Sequence, residues 1–339
     1  MRVTSGAGPM RISVMLLAAA LMTGAAAGAE TVRQDESLKA GREAYEASEY
    51  AKAAQLLQQA AAQNPRSGEI HLLLAKTYYE SQQHDAAIAS AEKAVAIDPS
   101  SSVYHEWLGK VYGEKADHSG MFSALSLAKK ARREFQNAVE LDERNFSAQQ
   151  ALIEFDCSAP PIAGGGEDKA RREIARLAAM DTAEGHYGAG NCRRQKKDFA
   201  AAEAEFDKTL ENHPQSADLI YDIGDYAVKH SQPERLVTVA DAGEAVAPGD
   251  LRGKYYRAVA MVLKQEQLGE AEMLLREYLE KAPARSNYPR RGSAHEWLGR
   301  LYEDEQKTQA AIAEYEAALK LEPKSKSARE ALKRLRKSG

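Results

Sequence analysis

Small and apolar residues recur along this chain at helical spacing, in paired segments that each close near a proline. Leu57 and Ala60 are three apart, Leu108 and Tyr112 four apart, and Ala87, Ala91 and Ala94 follow the same rhythm. Residues three and four apart share one face of a helix, so each segment reads as an amphipathic helix. Pro65 and Pro99 stand 34 residues apart, as do Pro214 and Pro248. A proline just past a helix cannot continue it and turns the chain to the next unit. The pattern predicts an all-α chain built by repetition of a helix–turn–helix.

The units keep a register. Before Pro65 come Gly41 in a first helix and Ala53, Leu57 and Ala60 in a second. One period on stand Ala75, Ala87, Ala91, Ala94 and Pro99. The third unit has Leu108, Gly109 and Tyr112, then Ala131, Phe135 and Ala138, with Glu143 in place of proline. Later units give Gly190, Ala202, Phe206 and Pro214; Gly224, Ala240 and Pro248; Ala258, Ala271, Leu275 and Pro283. The last gives Leu298, Gly299, Tyr302, Ala311, Tyr315, Ala318 and Pro323. The small residue of the first helix is expected to face the alanine of the second. A missing side chain lets helices cross at the close end of the usual separation, about 8–10 Å. Two units depart: Ile153 takes the small position in the fourth, before the loop Ala159–Gly166, and Leu236 and Gly243 alter the sixth. His-Glu-Trp-Leu-Gly occurs twice, at His105–Gly109 and His295–Gly299, as internal duplication would leave it. Ser327–Lys337 reads as a solvated capping helix, which a stack of such hairpins needs at its end.

Over roughly residues 34–325 this register resembles the tetratricopeptide repeat (TPR) family. The resemblance implies a right-handed α-solenoid of about eight units plus the C-terminal capping helix, with a concave groove that binds a protein or peptide. The residue after the small one, and those three before and four after it, face away from the seam, where the family lines its groove. Arg42, Lys76 and Lys110 stand there at one-period steps, followed by Asn191 and Arg300. Glu46, Glu80, Glu114 and Asp304 lie four residues after the four cations, so i, i+4 pairs are expected, each worth about 0.2–0.5 kcal/mol. Tyr45 and Tyr79 repeat beside them. Trp107 and Trp297 lie two residues before their glycines, either as groove anchors or packed on the preceding unit. The family's grip on a terminal carboxylate does not carry over, because Leu38, Leu72 and Arg42 replace its lysine and asparagine positions.

Composition agrees with helices: alanine, glutamate, leucine, lysine and glutamine dominate, and aromatics make up 7%. Residues 1–29 stand apart. Arg2 and Arg11 precede an uncharged stretch from Ile12 to Ala29 that ends Ala27-Gly28-Ala29, the layout of a secretory signal peptide. The expected organisation is therefore a signal segment 1–29, a repeat array 30–325 and a basic cap and tail 326–339, in an exported, periplasmic protein. The net charge is −4, and losing the segment removes two arginines and no acid, so bulk nucleic-acid binding is a poor fit. Export would permit a bond between Cys157 and Cys192. Two buried thiols are the expectation, since bridging needs Cα atoms within about 7 Å.

Candidate chemistry is sparse. His71, His105, His186 and His295 all stand four residues before the small residue of a first helix, a periodicity that argues for seam packing rather than a metal. The glycine loop before Glu167 lacks the Gly-Lys-Ser/Thr ending of a phosphate site and leads into acids. No nucleophile arrangement stands out. No catalytic residue, cofactor, metal or small-molecule substrate is assigned, and an enzyme is not expected. Membrane contact is not favoured, although Lys129–Arg133 and the tail Lys324–Lys337 are basic. The first reading is an exported scaffold binding a protein or peptide in its groove. The alternative is a structural element that self-associates or docks on a membrane complex through its edge insertions and basic tail.

Overall fold

A computed structural model describes residues 36–338, so the signal-like segment 1–29 lies outside the described residues. Among the described residues there is no strand. Eight helical hairpins follow one another: α1 (36–46) with α2 (Tyr50–Gln63), α3 (Gly68–Glu80) with α4 (His84–Ile97), α5 (Ser102–Asp117) with α6 (Met121–Leu141), and α7 (Phe146–Ser158) with α8 (Glu167–Met180). Then come α9 (Thr182–Gln195) with α10 (Phe199–Glu211), α11 (Ala217–Lys229) with α12 (Pro233–Val246), α13 (Leu251–Lys264) with α14 (Leu268–Lys281), and α15 (Arg291–Asp304) with α16 (Thr308–Leu321). Helix α17 (Lys326–Ser338) closes the series. The chain parts into two compact units between Pro99 and Ser100, the first holding α1–α4 and the second α5–α17. No helix of the described residues is long and apolar enough to cross a membrane.

Local chemistry sets the helix starts. Ser67, Ser101, Asn145, Asp181, Ser216 and Asp250 precede six successive first helices, and each side chain accepts a backbone N–H of the first turn. Such a cap is worth about 1 kcal/mol and fixes where the helix begins. Within six of the eight hairpins the turn is short and holds a non-glycine residue in the left-handed conformation: Ser48, Gln82, Lys197, Ser231, Gln265 and Gln306, at φ of 53–62°, with Gln267 a second one beside Gln265. The second helix then folds back at once.

The seam between the two helices of a hairpin differs from expectation. The glycine of the first helix does not make room for the alanine of the second. It makes room for the large residue four positions later. A Cβ on Gly109 would lie 2.6 Å from the Phe135 ring, one on Gly190 2.6 Å from Phe206, and one on Gly299 2.8 Å from Tyr315. Helical side chains lean toward their own N-terminus, so each ring lies back over the turn that begins at Ala131, Ala202 or Ala311. The alanine keeps that turn bare and the glycine opens the space opposite. In the sixth hairpin the roles swap: Tyr221 of α11 presses on Gly243 of α12, while Tyr256 of α13 fills the space at Gly224. The departures at Leu236 and Gly243 are thus a reversal of which helix supplies the ring.

In the second unit a core of buried residues runs from Ala202 to Leu332 and takes in Phe206, Tyr221, Tyr256, Tyr278 and Leu298. It extends to Ala328, Ala331 and Leu332 of α17, so the cap is amphipathic, with one face sealing the stack. A separate cluster joins Ile153, Ala170 and Leu177 of the fourth hairpin to Cys192 of α9.

Cys157 and Cys192 are joined as a disulfide, their Cα atoms 5.5 Å apart, where two free thiols were expected. The first helices α7 and α9 pack directly together, with α8 and its glycine loop to one side, and equivalent positions come within bonding reach. A Cβ on Gly165 would lie 2.1 Å from the Ala159 carbonyl, and Gly164 has φ of 101°, so the loop tightens only because these residues are glycine.

Two outcomes are expected. Gly109→Ala lowers stability by about 1–3 kcal/mol by overpacking against Phe135, whereas Gly113→Ala on the same helix, with nothing within 4 Å of the new Cβ, raises it by up to about 1 kcal/mol; urea melts of both variants read the opposite signs. Denatured, unreduced protein shows no titratable thiol, and Cys157→Ser/Cys192→Ser loses about 2–4 kcal/mol.

Candidate functional site

The predicted groove residues meet different fates. In the first unit Arg42 pairs with Glu69 across to the next hairpin. Tyr45 is buried against Ala44, Ala53 and the Tyr50 ring, so it belongs to the hairpin core and not to an open face. Lys76 and Tyr79 are half-buried on α3. In the second unit Lys110 reaches back to Glu106 at 2.6 Å and across to Ser147 at 3.1 Å, leaving Glu114 to His118. Its ammonium also sits 5.0 Å over Trp107. Asn191 is buried beside Tyr187 and is not an open groove position.

Other polar residues tie neighbouring hairpins together through their first helices. Asn145 donates to Glu106 at 3.0 Å, Gln150 to Glu184 at 2.7 Å, and Tyr187 and Arg194 to Asp222 at 3.0 and 3.1 Å. Burial raises the Glu106 carboxyl, but Lys110 and the hydrogen bonds of Ser147 and Asn145 outweigh it and hold it below its ordinary value.

The periodic histidines are seam residues with a missed partner. His105, His186 and His295 donate through Nδ1 to Glu134, Glu205 and Glu314 of the second helix, at 2.7, 2.6 and 2.6 Å. Each glutamate stands three residues after Ala131, Ala202 or Ala311, so the pairing was present in the register as a correlated spacing. In the second hairpin Ser90 takes the glutamate's place, and His71 bonds the Pro65 carbonyl instead at 3.1 Å.

The basic stretch on α6 is committed to the fold. Arg132 forks onto buried Asp156 at 2.8 and 3.0 Å, Lys130 lies over Tyr112, and Arg133 bonds Glu134. On α17, Arg334 forks onto Glu303 and Arg336 reaches Glu316.

Trp297 and Arg300 share a cleft of about 870 Å³, on the scale of a small-ligand site. Helices α11, α13 and α15 form its floor, α17 one wall, and the connection 282–290 another. That connection is anchored by Arg252, only 5% exposed. Its guanidinium lies between the Tyr221 and Tyr288 rings, 4.4 and 4.7 Å from their centres. It also bonds Asp250, Asp218 and the Asn287 carbonyl. Burial alone would lower its pKa, but Asp250 and Asp218 raise it well above the ordinary guanidinium range. Burial pushes the Tyr221 phenol up to about 12. No reading of the repeat register singled Arg252 out, since its partners come from three separate segments.

Tetratricopeptide repeat profiles match residues 44–111, 164–217 and 292–325. With that register on stacked helical hairpins, the chain belongs to the tetratricopeptide repeat family, and its fold is that of a protein-interaction scaffold. Solved structures similar to it include a thermophilic TPR protein of Thermus thermophilus, at 19% identity over 55% of this chain and 94% of that one, TM-score 0.45. The C-terminal part of a TPR protein from Cytophaga hutchinsonii matches at 18% over 87% and 99%, TM-score 0.40. One from Parabacteroides merdae matches at 10% over 89% and 98%, TM-score 0.42. No curated protein matches the sequence.

Arg252→Met leaves Asp250, itself largely buried, without its cation, and a loss of about 3–5 kcal/mol is expected. Lysine at that position keeps the charge but not the planar fork, and gives a smaller loss. Limited proteolysis of both variants should cut first within 283–290.

Proposed function

We propose that this chain is an exported scaffold of the cell envelope that holds a protein or peptide in the cleft beside Trp297. The observation that carries this reading is the cleft itself, walled by the capping helix and by the connection 282–290, which is longer than the other connections between described hairpins. Trp297 stands half-buried on its floor, with an aromatic face wide enough to anchor a partner. A desolvated tryptophan can contribute about 2 kcal/mol or more to binding, above any single surface ion pair. The disulfide between Cys157 and Cys192 and the signal-like amino terminus both support an oxidising compartment outside the cytosol. The arginines at the tail engage Glu303 and Glu316, which favours the groove over docking through that tail.

Trp297→Ala is expected to weaken capture of envelope proteins by about tenfold or more, equivalent to at least about 1.4 kcal/mol. Trp107→Ala, remote from the cleft, should capture the same proteins at wild-type yield. Equal capture by wild type and Trp297→Ala counts against the cleft. Fractionation and mass spectrometry should find a mature chain beginning at Glu30 in the periplasm; an intact Met1 chain in the cytosol counts against export.

A further inference from the structure

The charges around the cleft are unequal, and the inequality is more specific than the fold. Six carboxylates line it against three guanidiniums. Each guanidinium is already engaged: Arg334 on Glu303, Arg290 3.5 Å from Glu322, and Arg300 stacked 5.3 Å over Trp297 with Asp304 beside it. Among the described residues no ion pair reaches the other three carboxylates, Asp225, Glu296 and Glu330. Asp225 accepts only a neutral donor in Tyr256, at 2.7 Å, and Glu296 the hydroxyls of Ser325 and Ser327. Those hydroxyls orient Glu296 without neutralising it. The three carboxylates approach the cavity from α11, α15 and α17, so negative charge faces it from three sides.

We propose that the cleft takes a lysine- or arginine-bearing segment of its partner chain. This rests on the reading of the cleft as the binding site and adds its polarity. The aromatic lining fits the same ligand: Tyr255, Tyr288, Trp297 and Tyr315 all border the cavity. Long basic side chains lay their methylenes on such rings and keep the charged head at the carboxylates. The chain itself demonstrates the contact, because Arg300 already places a guanidinium on the Trp297 face. An acidic segment would meet three carboxylates while the lining guanidiniums are held by their own partners, a like-charge arrangement that excludes it. A grip on a terminal carboxylate is excluded on the same ground.

The test uses short fluorescein-labelled peptides on one Gly-Ser-Leu framework. They differ only in carrying lysine and arginine, glutamate, or glutamine at the variable positions. Anisotropy is read with wild type, with Trp297→Ala and with Asp225→Asn/Glu296→Gln/Glu330→Gln, whose isosteric changes keep an amide oxygen to accept from Tyr256 and from one of the two serines. Circular dichroism confirms that each variant is folded. The expected result is that the basic peptide binds, weakens with added salt, and loses about tenfold or more in affinity on the neutralised variant, or about 1.4 kcal/mol. Tighter binding of the glutamate or glutamine peptide, lost in Trp297→Ala, overturns the polarity and leaves the cleft as the binding site. Basic-peptide binding that is unchanged by the three neutralisations also overturns it. If no peptide binds, or Trp297→Ala changes nothing, both the polarity and the cleft assignment fall.

Discussion

The close approach of two helices at a bare glycine is the constraint on which the third, fifth and eighth hairpins rest. Phe135, Phe206 and Tyr315 each lie back over their own helix and into the space that Gly109, Gly190 and Gly299 leave open. One missing Cβ therefore admits a whole ring, and the ring adds its apolar area to the seam. The hairpin alone still exposes an apolar face, which only a neighbouring hairpin or α17 can cover. Small residues thus control the spacing, and spacing controls what can stack next.

Polar residues add a second layer of order. Ties such as Gln150 to Glu184 and Tyr187 to Asp222 connect first helices of adjacent hairpins, while His–Glu pairs connect the two helices within a hairpin. Individually these bonds contribute modestly. Ion pairs such as Arg132 with Asp156 and Arg252 with Asp250 neutralise part of the charge that the helices would otherwise present. At the C-terminal cleft an imbalance survives that pairing.

At the cleft, stability and the proposed binding share residues. Arg252 lies beneath two rings and ties Asp250, Asp218 and the 282–290 connection together. Through that connection it positions Tyr288 and Arg290 at the rim. Helix α17 likewise seals the core with Ala328 and Leu332 and offers Glu330 to the cavity. The site is assembled at the one place where the repeat is interrupted by a longer connection and then terminated.

Eight hairpins were legible in the sequence, because helix formation, capping and turn-making depend on residues within a few positions of one another. The alanine and glycine spacing, the prolines and the capping segment all belong to that local class. The histidines were legible as seam residues, and Glu134, Glu205 and Glu314 were readable in principle from their fixed offset. Side-chain partners one period away were not. Arg42 turns to Glu69, Lys110 to Ser147, Tyr45 goes into the core, and Cys157 meets Cys192. In each case two or more partners were compatible with the spacing. Helix packing chose between them, because direction and distance across a seam exist only once the backbones have docked. The repeated architecture came from the sequence through short-range forces. The cleft, its pinned wall and its surplus of carboxylates came from tertiary structure, since they are built from residues far apart in the chain that only stacking brings to face one cavity.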